Sequence, residues 1–275
     1  MRTRVPSSGR GHRPARWAES FDEVADLYAA ARPAYPEALV VDLLALADLR
    51  RGCRGLEIGA GTGQLTVPLA QRGVHLVAIE RGRHLARLLE KSVAQFGHVS
   101  TVVADFDEWQ APAESFDFIV AATAFHWLDP STRVSKCVEL LRPGGALAIV
   151  DTHWASGEKD NLFRRVGQSC YARWDPTFDP DFRPPGPDDL PRRNEELEAS
   201  GLFDEVTHRR YVCRRTYSAR SYCDLLGTFS NVLAFDLRAR EGFLACLFEL
   251  IEEQFAGSIV VADVYDLWLA RTSAG

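Results

Sequence analysis

Residues Gly55 to Gly63 read Gly-Leu-Glu-Ile-Gly-Ala-Gly-Thr-Gly, and an acid, Glu80, closes the next apolar run twenty-one positions after Gly59. Glycines let the backbone come close to a ligand at the tip of a strand, and a carboxylate further along the chain can accept hydrogen bonds from two ribose hydroxyls. Together they predict a site for an adenosine-containing cofactor. Spacing then separates two chemistries. A dinucleotide loop reads G-x-G-x-x-G, with the third glycine packing helix on strand and the helix N-terminus facing a pyrophosphate. Here the glycines are Gly59, Gly61 and Gly63, and Gln64 stands where that third glycine belongs. Glu57, two residues before Gly59, would sit badly beside a pyrophosphate and well beside an ammonium group. An NAD(P)-dependent oxidoreductase and a purely structural glycine turn are therefore the weaker readings.

The elements that must carry these residues alternate along the chain. Ser20-Phe21-Asp22-Glu23 has the spacing of a capping box, predicting a helix to Arg32 that Pro33 ends, and a second helix starts near Pro36 with Leu39, Leu43 and Leu46 on one face. Strands are predicted at Gly55–Ile58, Val74–Glu80, Val99–Asp105, Phe116–Thr123 and Ala146–Asp151, with Pro143-Gly144-Gly145 as a turn before the fifth. Helices at Thr62–Gln71, around Leu85 to Phe96 and around Val134 to Leu141 fall between them. Strands this apolar belong in a sheet covered on both faces. Past Asp151 the rhythm breaks into a Pro-rich stretch to Arg193 holding Trp154, Phe163, Tyr171, Trp174, Phe178 and Phe182, a lid candidate. A strand at Phe203–Cys213, a helical insertion with Tyr222 and Phe229 on one face, and a last strand at Ile259–Arg271 complete the chain.

Composition narrows the function. With 275 residues, 46% of them hydrophobic and 25% charged, one elaborated domain over 20–275 is expected, with cap insertions at about 152–193 and 214–257. A net charge of −6 argues against nucleic-acid backbone binding as the main source of affinity. Residues 1–19, with Arg2, Arg4, Arg10, Arg13 and Arg16, read as a disordered basic tail. Six scattered cysteines have neither disulfide-framework nor metal-ligand spacing, so no metal site and a reducing compartment are expected. Neither a membrane-spanning run nor a signal-peptide core is seen, so the expectation is a cytoplasmic protein with no membrane partner.

The acidic glycine loop after the first strand, an acid ending the second and another ending the third resemble the class I S-adenosylmethionine-dependent methyltransferases. Tyr28 to Pro36 and Ala124-Phe125-His126-Trp127 are similar to the small-molecule branch with the type 11 and trans-aconitate methyltransferase-like enzymes. The resemblance spans Phe21 to the C-terminus and is strongest over Gly55–Asp151. It implies an α/β, Rossmann-like, seven-stranded and mostly parallel sheet with helices on both faces, an antiparallel last strand and helical lid insertions. It also implies S-adenosyl-L-methionine as cofactor, a small-molecule methyl acceptor and O-methylation ahead of C- or N-methylation. Residue by residue, it puts Glu57, Gly59, Ala60, Gly61 and Gly63 around the methionine portion and ribose, Glu80 on the ribose hydroxyls, Asp105 and Phe106 on adenine, Arg81 along the adenine face, and Ala122 in backbone contact. Tyr28 and Arg32, four residues apart on one helix face, would close over the cofactor and pair with its carboxylate. His126 is the candidate general base, with His153 in reserve. Trp154, Tyr171, Trp174 and Phe229 are candidates for a pocket wall. The same fold also serves non-methylating catalysts and ligand sensors, an alternative that the residues leave open.

Overall fold

A computed structural model describes residues 16–154, 161–182 and 185–274. One sheet organises them, in the order β3-β2-β1-β4-β5-β7-β6. Its strands are β1 (Arg54–Ile58), β2 (His75–Glu80), β3 (Val99–Val103), β4 (Phe116–Ala122), β5 (Leu141–His153), β6 (Glu205–Ser218) and β7 (Ser258–Arg271). Pairing from β3 through β5 is parallel, and β7 runs antiparallel to both β5 and β6. The helices are α1 (Arg16–Glu23), α2 (Ala25–Ala31), α3 (Glu37–Leu46), α4 (Thr66–Gln71), α5 (Arg83–Val93), α6 (Arg133–Leu140), α7 (Leu162–Trp174), α8 (Asn194–Ala199), α9 (Ala219–Leu226), α10 (Ser230–Leu233) and α11 (Leu237–Gln254). None of the described helices is long and apolar enough to cross a membrane.

Period-two alternation builds two cores. Ile119, Ala121, Leu147 and Ile149 face the cluster that holds Phe125 and Cys137, while Phe118, Val120, Ala146, Ala148 and Val150 face Leu39, Leu43, Leu65 and Leu69. The apolar runs of the sequence thus become strands buried on both sides. A third core lies in the cap, where Phe163 of α7, Tyr222 and Leu226 of α9, and Phe243, Leu247 and Ile251 of α11 pack together. The cap connections are the segments between β5 and β6 and between β6 and β7, so the strand β6 runs five residues further than Cys213 and takes in the start of the expected second insertion.

Three expectations are corrected. The helix expected from Ser20 to Arg32 is already under way at Arg16 and breaks at Val24 into α1 and α2, so part of the expected tail is helical. Residues 1–15 lie outside the described part of the chain. Asp22 also caps a different helix: its Oδ1 accepts from the backbone N–H of His84 (2.6 Å) and Leu85 (3.0 Å) at the start of α5, whose own N-cap, Gly82, has no side chain to offer. Second, Pro143-Gly144-Gly145 does not precede β5 but bulges within it, since the partners step from Leu141 to Ala146 while β4 advances from Phe116 to Phe118. Third, Cys170 and Cys246 form a disulfide between α7 and α11 across a sequence separation of 76, which no local spacing could announce.

Asp22 therefore fixes the N-terminal helices over the sheet edge. Asp22→Ala is expected to lower the unfolding free energy by about 1 kcal/mol, the usual value of a helix cap, and to expose 16–32 to limited proteolysis while the core stays resistant. A denaturation curve and digestion pattern identical to those of the parent would exclude this docking role.

Candidate functional site

The strand order reverses between β1 and β4, and a cleft opens there at the carboxyl ends of the strands. Its main cavity measures about 330 Å³ and carries Tyr28, Arg32, Gly59, Gly61, Glu80, Arg81, Asp105, Phe106, Ala122 and His126 in its wall. A narrow inner recess of about 30 Å³ continues it past Tyr35, Glu57, Ala60 and Gln64. All but one of the expected cofactor residues thus line one continuous space.

The glycine loop shapes its floor. Gly59 (φ 68°) and Gly61 (φ 60°) sit in the left-handed region, which glycine enters without steric strain. A Cβ on Gly59 would lie 2.6 Å from that of Ala124, and one on Gly61 would press towards Tyr28 and Gln64. Gly63 is the exception. It lines neither part of the cleft; its φ of 101° itself calls for glycine, and a Cβ there would also press on Leu89 of α5 at 3.2 Å.

Glu80 ties the loop to the second strand. Its Oε2 accepts from Gly61 N–H and its Oε1 from Gly82 N–H, both at 2.8 Å. Burial raises its carboxyl above the usual range, against the pull of these backbone donors. A carboxylate offers about four acceptor sites, more than the backbone donors of Gly61, Gly82 and Arg81 occupy. That is the acceptor capacity a ribose diol needs.

Two groups in this wall, the buried Glu57 and the half-buried Arg32, lack a partner of opposite charge. Glu57 is 2% exposed, its Oε2 has no hydrogen-bond donor, and burial pushes its carboxyl up to about 8 despite the adjacent Thr66. Arg32 reaches in from the end of α2. Its Nε donates to Thr228 Oγ1 (2.8 Å) and its Nη2 to Thr228 O (2.7 Å), while Tyr28, Trp154 and Phe229 present their rings to it at 4.9, 5.1 and 4.6 Å. Burial lowers its pKa, and the groups that counteract this are tyrosines rather than carboxylates. An uncompensated buried charge is expensive unless a ligand completes it. A ligand with an ammonium and a carboxylate on one carbon would complete both.

At the outer end, Arg81 Nη1 pairs with Asp105 Oδ2 at 3.1 Å, and Asp105 Oδ1 accepts from Asp107 N–H. The two residues expected on adenine thus hold each other at the mouth. Phe106 is buried beneath, with Lys136 Nζ 4.8 Å above its ring. Phe21 closes the opposite side, edge-on to Tyr28 and Trp127.

His126 is exposed and sits at the rim, 5.0 Å ring to ring from Trp127, and it is the only histidine among the described lining residues. His153 does not reach the cleft. Its Nε2 lies 3.5 Å from buried Asp266, which also binds His208 and Arg210. Asp151 is likewise engaged, by two 2.9 Å hydrogen bonds from Arg193. Among the aromatic candidates, Trp154, Tyr171 and Phe229 line cavities. Trp174 instead packs on the backbone of α11, where a Cβ on Gly242 would come 2.4 Å from its ring.

The sequence reading missed a chain of hydroxyls across the cleft. Tyr35 O–H and Thr123 Oγ1 are 3.0 Å apart, and Thr123 Oγ1 lies 2.8 Å from Thr152 Oγ1. Thr123 occupies φ 57°, a conformation that a β-branched residue avoids, held by its N–H donating to Val150 O at 2.7 Å. Position alone, Thr123 just after β4 and Thr152 near the end of β5, was the available signal. Among the described residues no group of His, Cys, Asp and Glu could hold a metal.

Comparison with known proteins follows the same lines. Residues 56–149 match a family model described as "Methyltransferase domain". The chain is 30% identical over 197 residues to an uncharacterized methyltransferase of Mycobacterium tuberculosis, covering 70% of this chain and 77% of that one. A malonyl-[acyl-carrier protein] O-methyltransferase of Paenibacillus is 33% identical over 120 residues, 38% of this chain and 44% of that one. In fold, the chain is similar to a SAM-dependent methyltransferase of Geobacter sulfurreducens in complex with S-adenosyl-L-homocysteine, with TM-score 0.52, 14% identity, and 91% and 97% coverage of the two chains.

Glu57 makes the site sensitive to pH. Its raised pKa means that the ligand-free fold is stabilised below about 4.5 and loses that contribution as pH rises through about 8. At pH near 7 the carboxyl is mostly protonated, so pairing it with an ammonium must expel a proton. Calorimetry of S-adenosylhomocysteine binding in buffers of different ionisation enthalpy is expected to show release approaching one proton, abolished in Glu57→Gln. No buffer dependence in the parent would remove the assignment.

Proposed function

The chain belongs to the methyltransferase domain family, and from that premise we propose that it methylates an oxygen of a small molecule in the cytoplasm. S-adenosylmethionine is the cofactor. The observation that carries the reading is the pair Glu57 and Arg32, an acid and a base each without an oppositely charged partner, in the wall of one glycine-floored cleft. An α-amino-acid tail fits that pair, whereas a pyrophosphate would meet the Glu57 carboxylate. We take 20–275 as one catalytic unit with its cap built in, a small molecule as its partner, and neither nucleic acid nor membrane. In a reducing compartment Cys170 and Cys246 would be held largely as thiols, and the apolar core around Phe163, Phe243 and Leu247 joins the cap helices without them.

When bound, the cofactor supplies a methyl group already activated by its sulfonium sulfur. What remains for the chain is to align a nucleophile and exclude water, and positioning alone is worth roughly 7–11 kcal/mol of barrier. In this reading Arg32 holds the cofactor's carboxylate, Glu57 its ammonium and Glu80 its ribose hydroxyls. Arg81 and Asp105 open towards the adenine edge, with Phe106 behind them. Tyr28 and the Tyr35–Thr123–Thr152 hydroxyls, in the wall of the inner recess, would border the acceptor's approach. Trp154 and Phe229, ring centroids 5.2 Å apart, cover it from the cap side. His126, at the rim of the cleft, would take the proton of an acceptor hydroxyl. O-methylation is also the chemistry named for the Paenibacillus relative.

Turnover is expected to yield S-adenosylhomocysteine one for one with a methylated small molecule; cofactor binding with product formation but no S-adenosylhomocysteine would instead favour a non-methylating catalyst. Glu80→Ala should weaken S-adenosylhomocysteine binding by about 1.5–3 kcal/mol, the range for a hydrogen bond to a charged group, and unchanged affinity would mean the ribose lies elsewhere. His126→Ala should lower kcat by about 10²–10⁴-fold, the range for general base catalysis, with cofactor affinity intact. An unaltered kcat would show that the acceptor needs no base.

A further inference from the structure

The cap contains a second cavity, about 450 Å³, larger than the cofactor space. It is bordered by α7, α9, α11 and the turns after Trp174, and it meets the cleft at Trp154, Phe229 and Asn231, which line both. Its wall is aromatic, with Phe163, Tyr171, Phe178, Phe182 and Tyr222. One cation stands in this wall. Arg164, on α7, donates from Nη1 to Pro185 O at 3.2 Å. A guanidinium has five N–H donors, and among the described residues no carboxylate lies within ion-pair distance of this one. Burial lowers its pKa, and only Tyr222 and Tyr171 counteract that. The two acids of the same wall do not answer it. Asp175 Oδ1 accepts from the N–H and hydroxyl of Thr177, and the exposed Asp179 caps its own turn through Asp181 N–H.

A half-buried guanidinium with unused donors among aromatic rings is incomplete in the same sense as Arg32. Its planar fork matches a carboxylate. Resting on the methyltransferase reading above, we propose that this cavity is the acceptor site and that the acceptor is a carboxylate-bearing small molecule with an apolar body. Arg164 holds the carboxylate, the aromatic wall holds the body, and the reacting oxygen, a separate group, reaches the cleft past the Trp154–Phe229 pair. Arg164 is then a specificity residue: it selects acids over their neutral analogues without touching the cofactor.

The test uses the full chain saturated with S-adenosylhomocysteine, so that Arg32 is occupied. Probes are phenylacetate, 4-phenylbutyrate and octanoate, each paired with its amide, titrated by ligand-observed NMR against parent, Arg164→Met and Arg164→Lys proteins. At least one acid should bind the parent about tenfold or more tightly than its amide, as expected for a charged hydrogen-bond pair. Arg164→Met should abolish that preference and leave amide binding unchanged, and Arg164→Lys should keep part of it. Equal binding of acid and amide, no binding of any acid, or an acid preference that survives in Arg164→Met would each overturn the proposal. S-adenosylhomocysteine affinity, measured in the same samples, reports separately: its retention in all three proteins shows folded cofactor sites, and its absence from the parent would refute the methyltransferase reading instead.

Discussion

Glu57 and Arg32 do not touch. One lies near the end of the first strand and the other ends a helix near the N-terminus, yet the buried acid and the half-buried arginine share the wall of one recess, each lacking the opposite charge that would satisfy it. Burying lone charges is tolerable in a fold only where a ligand regularly completes them or where the group can neutralise itself. Glu57 does the latter in the free state by keeping its proton. Arg32 cannot, and instead borrows the Thr228 hydroxyl, the Thr228 carbonyl and three ring faces. The cleft thus holds an acid and a base that no charged side chain completes, and the proposed function has an amino-acid tail complete both.

Everything above the sheet converges on that arginine. Asp22 clamps the N-terminal helices to α5, which brings α2 and its last residue over the cleft. From the other side Thr228, at the end of α9, and Phe229, leading into α10, extend from the cap to meet it. Trp154 and Phe229 contact Arg32 on the cleft side and line the cap cavity as well. The cleft and the cap cavity accordingly share one aromatic wall.

How much of this the residues announce follows from the range of the interactions. Loop glycines, the acid at Glu80 and the apolar strands act within one βαβ unit, and all of them are legible; the seven-stranded order follows from them through the family resemblance. Boundaries slipped where a distant partner intervened. Ser20 to Glu23 has the spacing of a capping box for its own helix, but Asp22 serves α5 sixty-two residues away from its nearest amide partner. Gly63 carries the spacing of a ligand residue and serves the loop's own turn and the approach of Leu89 instead. Trp174 looked like pocket lining and is matched to Gly242 across the cap. The Tyr35–Thr123–Thr152 hydroxyls and the Cys170–Cys246 bond join positions that only the folded chain brings together. In one sequence only the strand-end positions of the two threonines signal the first, and nothing signals the second.

The central claim, that two opposed charges in the cleft await an amino-acid tail, is tested most directly by comparing S-adenosylhomocysteine with 5′-methylthioadenosine, which keeps the adenosine and sulfur but lacks that tail. Isothermal titration of both into the parent protein is predicted to give affinities differing by about a hundredfold or more, the sum of charged contacts worth roughly 1.5–3 kcal/mol each. Equal affinities would mean that Glu57 and Arg32 play no part in binding, and would contradict the account at its base.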